Sequence, residues 1–451
     1  MKTYFAVLTA TLLLGGHPLI AEPAKPSAPE RWTAERANNW YAQQPWLVGA
    51  NFVPSTAINQ LEMWQAETFD PATIDRELGY AQQIGMNTMR VFLHDLAWRE
   101  DSEGFYSRVD KYLTIADRHG IKTLFVIFDG VWFPNPRTGT QPAPVPGRHN
   151  SGWVQSPGRA YLESPEKQDE LKPYVIGLLT RFNNDRRVLA WDLFNEPDNP
   201  NRQAYGRDGA KIELAEQDKE VFAGQLLEKT YAWAKEVQPS QPVTSGVWLG
   251  DYLANPTAIQ RLQLEQSDII TFHNYDGPVE LRKRIEGLKK LGRPVLCTEY
   301  MARGNHSTFT DNLPVMKEFN VAAWSWGLVS GKSNTIYPWD SWEKHYTNEP
   351  AIWFHDVFRP DGTPFSLAEV NLIRTLTGRG TPQSTEIKPS AQAPAAAATV
   401  TGRQHLNRLT MTVDRAPSAN SGTRSSGEVY SSPGGEETGE GGQFFASGAI
   451  F

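Results

Sequence analysis

Short runs of β-branched, aliphatic and aromatic residues alternate along this chain with longer stretches whose apolar positions recur every three to four residues. The short runs fall at 47–54, 88–94, 123–129, 188–195, 243–248, 269–275, 295–300 and 322–328, which makes eight strand candidates. Helix-period patterns separate most of them, near 71–85, 108–119, 167–184, 213–238, 279–291 and 311–319. The connection 249–268 is less regular, with a short helix near 256–264, and a last helix near 365–377 completes the set. Strands that alternate with helices predict a parallel sheet with helical crossovers. An open doubly wound sheet and a (β/α)8 TIM barrel both satisfy that alternation. Two features favour the α/β barrel, with long βα loops at its C-terminal face. The segment after the first run, from Gly49 through Asn51 to Pro54, carries no Gly-rich phosphate fingerprint. Polar, ionisable or indole side chains also recur at run after run: Arg90 and His94, Asp129, Asn195 and Glu196, His273 and Tyr275, Glu299, and Trp326. In a barrel the C-terminal strand ends converge on one mouth.

The pattern also divides the chain. The alternation occupies 31–378, which is expected to be the barrel domain. Before it, Lys2 precedes an apolar stretch from Tyr4 to Leu14, broken by Gly15, Gly16 and Pro18, and Ala21 offers a cleavage point. Residues 1–21 therefore read as a signal peptide, too short in its apolar part to span a bilayer, and the protein is expected to be secreted or periplasmic. Residues 22–30 are a Pro-rich linker, and 379–451, with its Ala, Ser, Gly and Thr clusters, has the composition of a low-complexity, disordered tail. The formal net charge of −7, without any basic cluster, argues against nucleic acid as a partner. With no other apolar segment long enough for a membrane helix, no membrane association is expected after cleavage, and the chain is read as a monomer. Cys297 is the only cysteine, so an intramolecular disulfide is impossible. Its apolar surroundings make it a buried structural residue.

Two strand ends carry the chemistry. The run VLAWDLFNEP ends in Asn195-Glu196-Pro197. Proline restricts the residue before it to extended geometry, which would fix the direction of Glu196. A surface turn would also use Asn and Pro, but it would not explain a Glu at the end of a buried-type strand. The run PVLCTEY places Glu299 at a second strand end. Alone it marks no more than a strand terminus; opposite Glu196 in a barrel it gains meaning. Cleavage of a glycosidic bond needs a proton on the leaving oxygen and support for an oxocarbenium-like centre. Two carboxyls about 5–5.5 Å apart give retention, and a wider gap gives inversion. Arg90 inside an apolar run needs a partner, and Glu299 would suit; a guanidinium there lowers a carboxylate pKa and keeps a nucleophile ionised. Alternation puts Arg90 and His94 on one face, and His273 with Tyr275 on another. Tyr275 is suited to donate to the nucleophile and His273 to orient the acid, although a strand His is also often a satisfied core residue. Trp326 suits the floor of a sugar subsite, with Trp324 in the core.

Of the 15 Trp, several lie in two long loops. Residues 130–166 carry Trp132, Phe133, His149 and Trp153, and residues 330–351 carry Tyr337, Trp339, Trp342 and Tyr346. Loops this long are functional or disordered. Their aromatic content predicts ordered subsite walls on both sides of a groove, which would favour short oligosaccharides or chain ends. No metal or other cofactor is called for: His94 and His149 lack partners at ligand spacing.

These residues resemble glycoside hydrolase family 5, cellulase-like, and more broadly its clan of retaining (β/α)8-barrel glycosidases, over about 46–378. Asn195-Glu196-Pro197 looks like the acid/base motif of the fourth strand, and Glu299 matches the nucleophile position of the seventh. Arg90, Asn195, His273, Tyr275 and Trp326 match the remaining site positions on strands two, four, six and eight. The resemblance implies that Asn195 holds the sugar 2-hydroxyl. Asp129 departs from the His that many members carry after the third strand, which leaves the sugar contact there open. The expected activity is hydrolysis of a β-linked glucan, mannan or xylan-type polysaccharide or oligosaccharide by double displacement. A non-catalytic carbohydrate-binding barrel and a transglycosylase using the same intermediate are the alternatives.

Overall fold

The computed structural model describes residues 30–201, 216–250 and 252–380. The signal segment 1–21, nearly all of the 22–30 linker and nearly all of the 379–451 tail lie outside the described residues.

All eight expected strands form: β1 (Val48–Asn51), β2 (Thr88–Phe92), β3 (Lys122–Asp129), β4 (Val188–Asn195), β5 (Val243–Thr244), β6 (Ile270–Asn274), β7 (Val295–Tyr300) and β8 (Ala322–Trp326). The order around the sheet follows the chain, and β1 pairs in parallel with both β2 and β8. An open doubly wound sheet would leave β1 and β8 apart, so this pairing decides for the (β/α)8 barrel. Between β5 and β6 closure rests on sparser contacts. The Asp268 N–H donates to the Val243 carbonyl at 2.8 Å, and Val247 bridges the β6 backbone through Thr271 and His273 at 3.1 and 3.0 Å.

A helix follows each strand around the outside: α1 (Pro71–Gln83), α2 (Ser102–Arg118), α3 (Lys172–Arg181), α4 (Glu216–Val237), α5 (Ala258–Gln266), α6 (Pro278–Lys289), α7 (Phe309–Glu318) and α8 (Leu367–Leu376). Local sequence sets their starts. Asp70 accepts from the Thr73 N–H ahead of Pro71, and Thr257 with Gln260 forms a reciprocal capping box at α5. Several strands are shorter than their apolar runs. His94 is no strand residue: it caps a short helix, Asp95–Glu100. Gly327, at φ 76°, turns the chain out of β8.

Strand alternation sorts two cores. Leu124 and Val126 of β3 pack inside the barrel with Phe92, Leu296 and Trp324. Phe125 and Ile127 face outward against helix residues such as Tyr112 and Leu178. One element was not legible in the strand–helix alternation. The helix Ala34–Ala42 lies under the N-terminal strand ends, where Trp32 joins the inner core and its N–H donates to Asp268 at 2.8 Å.

Candidate active site

The C-terminal ends of β2, β4, β6 and β7 bring Arg90, Glu196, His273 and Glu299 into one buried cluster at the mouth. Arg90 is fully buried and saturated. Its Nη1 donates to Glu299 Oε1 at 2.7 Å and to Asn51 Oδ1 at 2.8 Å. Its Nη2 donates to Asp192 Oδ2 and Asn195 Oδ1, both at 2.7 Å, and Nε reaches Asp192 at 3.2 Å. A buried guanidinium is tolerated only when paired and hydrogen-bonded in this way.

Glu299 also accepts from the Tyr275 hydroxyl at 2.8 Å. Burial and the neighbouring Glu299 push Tyr275 far above its usual value, so it stays a donor. His273 Nδ1 stands 2.8 Å from Glu196 Oε1 and 3.6 Å from Glu299 Oε2, linking the two carboxyls. Burial lowers His273 to about 4, so the ring is neutral at pH 7. Burial raises Glu196 to about 7, against the pull of Asn199, Arg90 and Lys219. Glu299 is raised too, chiefly by burial, while His273, Arg90 and Tyr275 oppose the shift. Contrary to the expectation from Arg90 alone, Glu299 is not lowered: the guanidinium pulls it down, but desolvation outweighs that pull.

A second correction concerns Glu196 itself. The residue before a proline was expected to be extended, yet Glu196 has φ 42°, in the left-handed region. Tertiary contacts override the local preference. The Glu196 carbonyl accepts the Asn199 N–H at 3.0 Å, and Gly130 donates to the Asn195 carbonyl at 2.9 Å. A Cβ on Gly130 would come within 2.6 Å of the Glu196 carbonyl, so only glycine permits this approach. Strain of this kind is held where the surroundings over-determine the backbone.

The other expected site residues divide. Asn195 is locked between Arg90 and Asp129, its Nδ2 donating to Asp129 Oδ1 at 2.9 Å. Asp129 is buried, accepts further from Trp153 Nε1 at 2.7 Å and Gln60 Nε2 at 3.1 Å, and is raised to about 7 by burial. It orients Asn195 rather than facing the mouth. Trp326 is half-buried against Phe92 and Trp153, while Trp324 is core. His94 does not join the cluster. Its Nδ1 accepts from the Leu96 N–H at 3.1 Å and lies 3.3 Å from Asp95 Oδ1, and its Nε2 faces the Gln155 carbonyl at 3.1 Å, so the ring is engaged away from the cluster. Cys297 is buried, with its thiol pushed up by burial.

The two long loops do not stand opposed across a groove, as expected, but interlock. Asn150 N–H donates to the Ser333 carbonyl at 2.9 Å, His149 N–H to Ser341 at 3.0 Å, and Trp132 stacks on Trp342 with centroids 5.7 Å apart. The loop after β1 joins them through Asn59, which donates to the Gly152 carbonyl at 2.8 Å. The loops after β1, β3 and β8 are thus joined to one another and form one wall. Tyr275, Trp339, Phe354 and His355 extend that wall with ring contacts of 4.6 to 6.1 Å.

Glu196, His273 and Glu299 place one ligand atom each within 4.8 Å of one another, a spacing that a cation would accept. Arg90 already supplies the positive charge at Glu299, which makes the set a cluster for handling protons and charge.

No protein-family model and no curated protein matches the chain. Solved structures do resemble it. GH5_18 from Streptomyces cattleya, in complex with GlcNAc, is 12% identical, covering 75% of this chain and 81% of that one, with a TM-score of 0.47. The exo-β-1,4-mannosidase Op5Man5 from Opitutaceae bacterium strain TAV5 is 17% identical over 75% and 60%, TM-score 0.47. The endo-β-1,4-mannanase from Thermotoga petrophila is 14% identical over 74% and 76%, TM-score 0.46. The barrel assignment stands on strand order, and the chemistry on the side chains.

Proposed function

We propose that this chain is a retaining β-glycoside hydrolase, with Glu196 as acid/base and Glu299 as nucleophile. The observation that carries the reading is the spacing of two buried carboxyls, whose facing oxygens lie within 4.8 Å. Retaining glycosidases hold their carboxyls about 5–5.5 Å apart, whereas inverting ones leave room for a water. The environments support the division of roles. One guanidinium faces two carboxylates, Asp192 and Glu299, at 2.7 Å each. A third charge on Glu196 would be uncompensated at that range, which favours the proton there. Glu299, with Arg90 and Tyr275 donating to it, is the group equipped to be an anion and to attack.

In the first step Glu299 bonds to the anomeric carbon as the glycosidic C–O bond breaks, and the leaving oxygen takes the Glu196 proton. Water then attacks that carbon, returns a proton to Glu196 and releases Glu299. Asn195 retains one amide hydrogen for the sugar 2-hydroxyl, Trp326 is the apolar floor, and Tyr275 and His273 orient the two carboxyls. We read the substrate as a β-linked glucan, mannan or xylan-type chain met outside the cytoplasm. With one aromatic wall in place of the expected two, product size over time decides between chain-end and internal action.

A panel of β-glycans with products resolved by size over time tests this. Turnover that Glu299→Gln abolishes while binding persists supports it. A wild type that binds glycans and cleaves none would make the barrel a binding module, internal cuts from the earliest time points would refute chain-end action, and longer products with an added acceptor would favour transglycosylation.

A further inference from the structure

Glu196 is clamped by a loop that the proposed reaction has not yet used. Its Oε2 accepts from Asn199 Nδ2 at 2.7 Å, while Oε1 faces His273 Nδ1 at 2.8 Å. The orientation of the Asn199 amide is fixed from behind. The Asn201 backbone N–H donates to Asn199 Oδ1 at 2.8 Å, and an N–H cannot accept, so the NH2 must face Glu196. Asn201 is in turn bonded to both backbone groups of Trp132, donating to its carbonyl and accepting from its N–H at 2.8 Å. Lys219 on α4 is buried, and its ammonium donates to the Gly130 carbonyl at 2.6 Å and to the Asn199 carbonyl. Among the described residues it makes no ion pair, so it spends its donors on the two loops that flank Glu196.

We infer that Asn199 gives the two oxygens of Glu196 different tasks, Oε2 as a permanent acceptor and Oε1 as the atom that carries the transferred proton, with Lys219 holding Asn199 in place. The hydroxyl oxygen of a protonated carboxyl is a poorer acceptor than its carbonyl oxygen, so the Asn199 N–H on Oε2 favours the proton on the other oxygen. The proton therefore sits on Oε1, on the side of His273 and Glu299, where a glycosidic oxygen must lie if Glu299 is to attack. A neutral His273 fits this arrangement, since in the Nε2–H tautomer Nδ1 accepts from a protonated Oε1. Asn199 and Lys219 are positioning residues, and the inference rests on the glycosidase reading for what receives the proton. Charged and titratable groups facing Glu196 come from every packed element: Arg90, Asp129, Asp192, Asp198, Lys219, His273, Tyr275 and Glu299.

Carbon-13 titration of the glutamate carboxyls, with Glu196 assigned by its loss in Glu196→Gln, reads the clamp directly. Losing a hydrogen bond to a charged acceptor should raise the Glu196 midpoint by about one unit in Asn199→Ala. Asn199→Asp, which keeps the shape, should raise it further, because the new carboxyl must share the proton. An unchanged midpoint in both variants overturns the inference. On the wild-type background, Asn199→Ala should lower kcat/KM for an alkyl β-glycoside tenfold or more and leave kcat/KM for a dinitrophenyl β-glycoside unaffected, since that leaving group needs no proton in the first step. Equal slowing of both would mark a purely structural role and overturn it. A raised midpoint in a protein whose wild type is inert on both glycosides keeps the assignment of the two oxygens and overturns only the glycosidase reading.

Discussion

Glu299 and Glu196 share one mouth, yet the structure holds them by different means. Glu299 ends β7 and is met by side chains from neighbouring strands: Arg90 from β2, and His273 and Tyr275 from β6 and the residue just after it. Glu196 lies just past β4 with φ 42°, and its remaining oxygen is met by Asn199 from the loop that follows. The strand side is rigid, charged and buried in the barrel. The loop side is strained backbone held by amides and one ammonium. On the proposed reading, the difference places each role: the anion with fixed charge in the barrel, the proton with the loop after β4.

The largest effects should come from the glutamates. Glu299→Gln should reduce kcat by about 10^4-fold or more on any leaving group, since no nucleophile remains. Glu196→Gln should cost about 10^2- to 10^4-fold in kcat/KM on an alkyl glycoside and little in kcat/KM on a dinitrophenyl one, whose kcat still falls because the second step loses its base. Initial rates on the two substrates check this, and similar losses for both variants on both leaving groups would erase the distinction. Next comes the buried pair. Arg90→Met leaves Asp192 and Glu299 facing each other, and should lower stability by about 3–5 kcal/mol in urea denaturation. A loss under about 1 kcal/mol would mean that the strand side does not depend on that charge.

These strand-side features were the legible ones. Arg90 and Glu299 are charges inside apolar runs, and period-2 geometry with barrel closure was enough to bring them together. Asp192 within the fourth run and Asn51 at the end of the first carry the same signal of a polar group in an apolar run. The loop side was not legible. The hydrogen bond from Asn199 to Glu196 depends on a left-handed backbone that the following proline argues against. Lys219 lies on a helix that strand patterning leaves outside the mouth. His94 was misplaced for a related reason: continuing the alternation past Phe92 put it beside Arg90, but the chain leaves the strand there to start a helix, and the ring caps it.

The pH dependence sharpens the comparison at smaller amplitude. Glu196 is raised to about 7, so kcat/KM on an alkyl glycoside should fall as pH rises through 7. Stability follows the same sign. Below the unfolded carboxylate range the group is protonated in both states and costs nothing; as pH rises towards 7 the unfolded chain ionises first, and stability is lost. Glu196→Gln should flatten that part of the melting profile, and a profile unaffected by the substitution would place the titration elsewhere. The smallest effect belongs to His94, whose ring is engaged away from the cluster. His94→Gln should cost about 1 kcal/mol of stability and leave kcat/KM within about twofold, by thermal melting and initial rates. A larger loss of activity would return His94 to the site.

The facing carboxyl oxygens within 4.8 Å carry the most direct claim, because the separation of such a pair predicts the stereochemical outcome. Proton NMR of the first-formed product, recorded before mutarotation, tests it on any β-glycoside the protein cleaves. The account predicts the β-anomer, from two displacements at the anomeric carbon. The α-anomer would contradict it, since a single displacement by water goes with carboxyls held further apart than in a retaining pair.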